Sequence, residues 1–118
     1  MPYAYRKNER IRKNSEFVSV MKQGKRLSVD GLSLFYAENG AGNFKVGISV
    51  GKKLAKAAHR NRLRRRIRDC VTRALGSRAL GYDLVFMARQ GLVGAEHDRV
   101  LRAVQTVLTK SVLRSEKP

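Results

Sequence analysis

The 118-residue sequence is poor in cysteine, proline and acidic residues. Its single cysteine, Cys70, cannot form an internal disulfide or a zinc site built from several cysteines. The two prolines stand at positions 2 and 118, so no segment between them is interrupted by proline. The sequence has no run of about 18 apolar residues and does not open with the apolar stretch of a signal peptide. We therefore expect a soluble, cytoplasmic protein without disulfides.

The scarcity of acidic residues leaves a large excess of positive charge. Only 9 Asp and Glu oppose 26 Lys and Arg, which gives a formal net charge of +17. A charge of this size attracts polyanions, and nucleic acid is the commonest of them; an anionic membrane surface is the weaker alternative. The apolar fraction of 42% is sufficient for a core, and the length suits one domain. We predict a single domain over residues 1–118.

Hydrophobic periodicity predicts secondary-structure elements in the order α-β-β-α-β-α. The first helix follows Asn14-Ser15 and ends at Gly24, and the next two segments are expected to pair as an antiparallel hairpin around a turn at residues 39–43. The five segments after the first helix are strands at 31–38 and 44–50, a helix at 60–75, a strand at 82–88 and a helix at 95–114.

The segment from Arg60 to Arg68 is the densest cluster of positive charge. On a helical wheel, the apolar positions from Leu63 to Ala74 form one stripe, and the arginines occupy the remaining surface. Such a run is either a solvated basic helix face or a polyanion-binding surface. Like charges one turn apart destabilise a helix, so this density favours the second interpretation. Lys52 and Lys53 precede the helix and extend its charge, but no nucleotide-binding GxxxxGK[ST] loop is present.

A second candidate surface is apolar. Phe17 and Met21 share one face of the first helix, and Phe35 points to the less apolar face of its strand. Together these side chains can form a cleft that stacks unpaired bases, although Phe17 and Met21 also suit ordinary core packing.

Catalytic groups are not concentrated anywhere in the sequence. The four aspartates Asp30, Asp69, Asp83 and Asp98 are scattered among different elements, whereas a two-metal nuclease needs converging carboxylates. The two histidines suit helix ends or the surface better than acid-base catalysis. We therefore expect no catalytic residue and no metal site in this chain.

Two segments resemble the signature of the bacterial ribonuclease P protein family. They are Val46-Gly-Ile-Ser-Val-Gly-Lys-Lys53 and Arg60-Asn-Arg-Leu-Arg-Arg-Arg-Ile-Arg68, and the opening Arg10-Ile-Arg-Lys-Asn-Ser-Glu-Phe17 and Tyr82-Asp-Leu-Val-Phe-Met-Ala-Arg89 also resemble the family, in its order. The resemblance implies an α+β two-layer sandwich similar to ribosomal protein S5 domain 2, with a left-handed βαβ crossover. This hand departs from the usual right-handed rule.

The same resemblance implies a function in the endonucleolytic removal of the 5′ leader from precursor tRNA. The protein would be a subunit of a ribonucleoprotein endoribonuclease, with catalysis carried out by the ribonuclease P RNA and by Mg²⁺ bound mainly to that RNA. The expected partners are this RNA and precursor tRNA, and the free protein is expected to be monomeric. A ribosomal protein or another noncatalytic RNA-binding module is the alternative, and an independent metal-dependent nuclease is disfavoured.

The resemblance also assigns residues to two surfaces. Its leader-binding cleft would be lined by Phe17, Met21, Phe35 and Ser49. Met21 stands where the family often has an aromatic residue and Gly51 where it often has serine, so stacking there is expected to differ. The surface for the catalytic RNA, with Arg62 assigned less securely than the rest, would consist of Lys52, Lys53, Arg60, Asn61, Arg62, Arg64, Arg65 and Arg68.

Overall fold

A computed structural model describes residue 11 and residues 14–40, 44–76 and 81–113. These residues form α1 (Asn14–Gln23), β1 (Lys25–Val29), β2 (Leu32–Glu38), β3 (Lys45–Val50), α2 (Ala57–Leu75), β4 (Tyr82–Ala88) and α3 (His97–Thr109). A short 3-10 helix, Gln90–Leu92, connects β4 to α3. The predicted α+β class and the order of the six predicted elements are confirmed, and β1 is an additional strand. Residues 41–43 of the predicted turn and Arg114 lie outside the described residues.

The four strands form one mixed sheet in the order β1-β2-β4-β3. β2 is antiparallel to β1 and to β4, whereas β3 is parallel to β4. The predicted hairpin between the second and third strands is therefore wrong, because β4 lies between them. β2 is buried on both faces at residues 32–35 and occupies the interior of the sheet, where it has a partner on each side. β3 and β4 are joined by the long connection that a parallel pair requires, and α2 is part of it.

The added strand β1 forms a hairpin with β2. Asp30 and Gly31 make the two-residue turn, with φ angles of 48° and 83°. Positive φ at both positions is typical of the turn that matches the twist of a hairpin. Arg99 of α3 forms a bidentate ion pair with Asp30 in this turn. Its Nε donates to Oδ2 at 3.1 Å, and its Nη2 donates to Oδ1 at 2.8 Å. These hydrogen bonds to Arg99 lower the pKa of Asp30 below its ordinary value of 3.8.

The main core lies between the sheet and the pair of helices α2 and α3. Leu34 and Phe86 oppose each other on this face of the sheet, and both are fully buried. α2 contributes Ile67, Cys70 and its other apolar positions, as the predicted stripe requires. This packing gives the two-layer sandwich. The segment β3-α2-β4 is a βαβ crossover between parallel strands. Its left-handed sense stays a prediction from the family resemblance.

α1 packs on the opposite face of the sheet, against β2 and β4. A smaller apolar cluster joins them, built around the buried residues Ile11, Val20, Phe35 and Val85. The sheet therefore has apolar side chains on both faces. Part of this second face is left uncovered beside α1, and the cleft predicted from the sequence lies there.

Candidate nucleic-acid interface

The apolar part of the interface is formed where α1 crosses the sheet. Phe17 and Met21 of α1 pack, together with Met87 of β4, against the small cluster that contains Phe35. Phe17 approaches β3 so closely that a Cβ atom on Gly47 would lie 2.8 Å from its Cζ atom. Carbon atoms pack best at about 3.5 to 4.0 Å, so Gly47 is needed for the ring to lie on the strand. The predicted grouping of Phe17, Met21 and Phe35 is thus present in the structure.

A groove of about 480 Å³ joins this apolar surface to the positive helix. On one side it is lined by Phe17, Met21 and Ser49, and on the other by Arg60 and Arg64. Lys52 also lines it, from the turn that links β3 to α2. The two surfaces predicted separately are therefore adjacent parts of one concave site.

Met87 and Val18 are among the apolar residues of this groove that were not identified from the sequence. Met87 lies on β4 opposite Ser49, and Val18 of α1 is 39% exposed. Met87 belongs to a strand with apolar residues at consecutive positions, which indicates burial on both faces. This run of consecutive apolar residues in β4 was the sequence signal that the second face of the sheet is also covered. Val18 lies outside the i, i+3, i+4 pattern used for α1 and carried no such signal.

Phe35 has a different position from the other predicted cleft residues. Its side chain is only 8% exposed and does not line the groove; it belongs to the buried cluster against which Phe17 and Met21 pack. The Arg26 guanidinium of the neighbouring strand lies over the ring, 5.5 Å from its centroid. A ligand above Phe35 would therefore meet Arg26 as well.

The arginines of α2 divide between two flanks of the helix, as the helical wheel predicts. Arg60 and Arg64 line the groove, whereas Arg62 and Arg66 line a separate cavity of about 270 Å³ on the other flank. Arg60 lines both, and its Nε atom is buried without a hydrogen-bond partner among the described residues. Arg66 donates a hydrogen bond to the Ala95 carbonyl, 3.1 Å away, and so ties α2 to the segment before α3.

The other predicted contacts are distributed along the same helix and the turn before it. Lys52, Lys53, Asn61 and Arg65 are exposed, and Arg68 is half-buried. The Asn61 carbonyl oxygen accepts a hydrogen bond from Arg64 one turn later. The first acidic residue of α2 is Asp69, which pairs with Arg73 beyond the arginine-rich segment. No acidic residue of α2 thus lies before or within this segment.

The described residues do not form a metal-binding cluster. Nowhere in ranges 14–40, 44–76 and 81–113, or at residue 11, do three His, Cys, Asp or Glu side chains come together to hold an ion. This donor set does not fit a protein-bound Mg²⁺, and we assign no magnesium step to it. In the same part of the chain, no helix has the length and apolarity needed to cross a membrane.

Comparisons with known proteins agree on one family. The family model described as Ribonuclease P matches residues 5–112. A ribonuclease P protein component of Streptococcus pyogenes is 33% identical over 103 residues, which cover 87% of this chain and 86% of the relative. The solved RNase P protein of Staphylococcus aureus is 29% identical with a TM-score of 0.80, covering 87% of this chain and 94% of that one. The RNase P protein of Thermotoga maritima is 28% identical with a TM-score of 0.78, covering 86% and 96%.

Proposed function

This chain belongs to the ribonuclease P protein family, and from that membership we propose how it works at the level of its own residues. Membership gives it a role in tRNA processing and a partnership with the ribonuclease P RNA. We propose that it is a single-domain, monomeric, cytoplasmic protein that binds this RNA and the 5′ leader of precursor tRNA. The reaction would be endonucleolytic removal of the leader, with catalysis by the RNA.

The observation that carries this proposal is the groove shared by the two surfaces. Its apolar wall, with Phe17 and Met21, suits unpaired bases, and its positive wall, with Arg60 and Arg64, suits phosphates. Single-stranded RNA presents an unpaired base and a phosphate at every nucleotide. A double helix hides its bases in the stack, so the groove fits the unpaired leader better than the folded tRNA body.

Arginine on α2 would act mainly through charge and geometry. Its planar guanidinium forms paired hydrogen bonds with phosphate oxygens, which makes the contact both strong and directional. The buried Nε atom of Arg60 lacks an acceptor among the described residues, and a phosphate oxygen would supply one. The exposed Lys53 and Arg65, with the half-buried Arg68, extend this contact to the ribonuclease P RNA along the helix.

The protein's contribution to the reaction would be electrostatic. Catalytic RNA and precursor tRNA are both polyanions and repel each other, and a chain of net charge +17 placed between them reduces that repulsion. We propose that Mg²⁺ is bound mainly by the RNA and that the protein lowers the concentration of Mg²⁺ needed for cleavage. The protein's own side chains bind and orient the two RNA molecules.

Reconstitution with the ribonuclease P RNA tests this proposal. At low Mg²⁺, wild-type protein should raise the rate of precursor cleavage, and Arg64→Gln should raise it less. Arg102→Gln is the matched control, because it removes the same charge from an exposed site on α3 that does not line the groove. If the wild-type protein gave no improvement, the proposed function would be wrong. Cleavage by the protein without RNA would overturn the assignment of catalysis to RNA.

A further inference from the structure

The cavity on the flank of α2 away from the groove has no assigned ligand. It has a volume of about 270 Å³, and α2 forms one of its walls. Val50 at the end of β3, Ala55 in the turn before α2 and residues 93–95 before α3 form the others. We call it the flank cavity. Pockets for drug-sized ligands measure about 300 to 1,000 Å³, so the flank cavity suits a smaller group, such as one nucleobase.

Positive side chains line the flank cavity without a carboxylate to balance them. Arg60, Arg62 and Arg66 all belong to its lining, together with His59. The described residues that line it include no Asp or Glu. Arg62 and Arg66 are one helical turn apart, where like charges destabilise a helix. Folding alone therefore does not account for three guanidinium groups around one cavity, whereas an anionic ligand would.

Arg66 is held in place by the protein itself. Its Nη1 atom donates a hydrogen bond to the Ala95 carbonyl oxygen, 3.1 Å away, and the residue is half-buried. The remaining N–H groups and the planar face of the guanidinium are left for a ligand. Unstacked bases of RNA commonly lie on the planes of arginine side chains. Arg66 is therefore a preformed platform for a base.

The rest of the flank cavity is apolar or open. Val50 and Leu63 are buried beneath it, and Val93 is half-buried beside it. Gly94 has a φ of 78°, and a Cβ atom built on it would meet nothing within 4 Å, so the backbone there borders open space. Arg62 is exposed, as a side chain that binds a phosphate at the rim must be. An apolar wall, a planar cation and a cation at the rim together match the base and the phosphate of one nucleotide.

We propose that the flank cavity binds one unpaired nucleotide, with its base against Arg66 and its phosphate on Arg62. The nucleotide comes either from ribonuclease P RNA or from free nucleotides in solution. The first source rests on the proposed function, and it would place RNA on both flanks of α2, with the leader in the groove and ribonuclease P RNA in the flank cavity. Arg60, which lines both, would lie between the two RNA molecules.

Nuclear magnetic resonance of the full chain tests the cavity directly. Adenosine monophosphate should shift the Gly94 amide signal to saturation, and inorganic phosphate at the same concentrations should not. Ala55→Leu fills part of the cavity and should abolish the shift. Ala57→Leu is the matched control, because it adds the same side chain at an exposed position of α2 that does not line the cavity. An equal shift with phosphate alone would overturn the base contact.

Affinity for ribonuclease P RNA identifies the source of the nucleotide. Ala55→Leu and Arg66→Lys should each bind this RNA at least about fivefold more weakly, the lower end of what one stacked base contributes. Arg66→Lys keeps the charge and should keep the salt dependence. Arg62→Gln should lower the slope of log affinity against log salt by about 0.7 to 0.9. Ala57→Leu should equal wild type, and a slope change as large for Arg102→Gln would overturn the phosphate contact of Arg62.

The two measurements together decide the proposal. If RNA affinity were unchanged in Ala55→Leu and Arg66→Lys while adenosine monophosphate still shifted Gly94, the cavity would take free nucleotides. If RNA affinity were unchanged and adenosine monophosphate gave no shift, the proposal would be wrong. Ala55 does not line the groove, so Ala55→Leu should retain the leader dependence of wild type. A wild-type protein that bound no ribonuclease P RNA would instead contradict the proposed function. Melting temperatures establish that each variant is folded.

Discussion

Replacement of Gly47 by alanine tests how the cleft is built. The new Cβ atom would lie 2.8 Å and 2.9 Å from the Cζ and Cε1 atoms of Phe17, and 3.0 Å from Cβ of Ile11. Phe17 would have to move, because its ring can tilt about its own side-chain bonds in the first turn of α1, whereas β3 is hydrogen-bonded in the sheet. The substitution therefore displaces one wall of the groove while leaving the arginines of α2 in place.

The expected change in stability combines two opposing effects. Overpacking a close contact costs about 1 to 3 kcal/mol. Alanine in a strand is more stable than glycine by about 0.5 to 1 kcal/mol. The free energy of unfolding should therefore fall by about 1 kcal/mol, within a range of roughly zero to 2.5 kcal/mol. Urea denaturation followed by circular dichroism measures it, and affinity for leader-bearing precursor should fall in parallel.

A double-mutant cycle identifies the contact responsible. With Phe17→Ala in the background, most of the clash is absent, so Gly47→Ala should become neutral or stabilising, with a coupling energy of about 1 to 2 kcal/mol. Gly51→Ala is the stability control, since its Cβ atom would meet nothing nearer than Leu54 Cγ at 3.8 Å. The reasoning is refuted if Gly47→Ala costs the same with and without the Phe17 ring.

Three other predictions concern charge, pH and the thiol. Arg65→Glu should weaken binding to ribonuclease P RNA and lower the salt slope by about one unit, whereas Arg102→Glu should affect it less; equal slopes for Arg65→Glu and wild type would remove Arg65 from the interface. Because Arg99 lowers the folded-state pKa of Asp30 below 3.8, this ion pair stabilises the protein at neutral pH and is lost as the pH falls through that lowered pKa. Asp30→Asn should therefore lower the melting temperature more at pH 7 than in acid below the ordinary pKa of 3.8, and an equal effect at both would contradict the linkage. Burial raises the pKa of Cys70 to about 11, so iodoacetamide at about pH 8 should label it only after unfolding; rapid labelling of the folded protein would show that the thiol is accessible.

The sequence predicts the helices and the longer strands well because their apolar spacing is regular. Leu63, Ile67 and Cys70 are buried as the α2 stripe requires, and β4 has the predicted bounds. β1 was missed because Lys25, Arg26 and Ser28 leave it with only two apolar residues. The Asp30-Gly31 pair was the available signal, since this dipeptide between two extended segments favours a hairpin.

Strand pairing and the composition of the cleft could not be predicted from local pattern alone. Whether β2 pairs with β3 or with β4 depends on contacts far apart in the sequence, and the short segment between β2 and β3 favours the wrong pairing. Phe17 and Met21 of α1 pack against the cluster that contains Phe35, but only the two α1 residues line the groove, and leader binding by any of them stays a prediction. The exposed fraction of Phe35 and the position of Arg26 above it depend on the register between β1 and β2, which is visible only in three dimensions.

The position of α2 between the parallel strands β3 and β4 also affects how fast the chain folds. These strands cannot pair until the connection that contains α2 has closed, and pairing of this kind is slow because entropy is lost before contacts form. The arginines on α2 repel one another as the helix forms, and dissolved anions screen that repulsion. The helix that we propose binds RNA thus carries charge that opposes its own formation, and salt around the newly made chain reduces that cost.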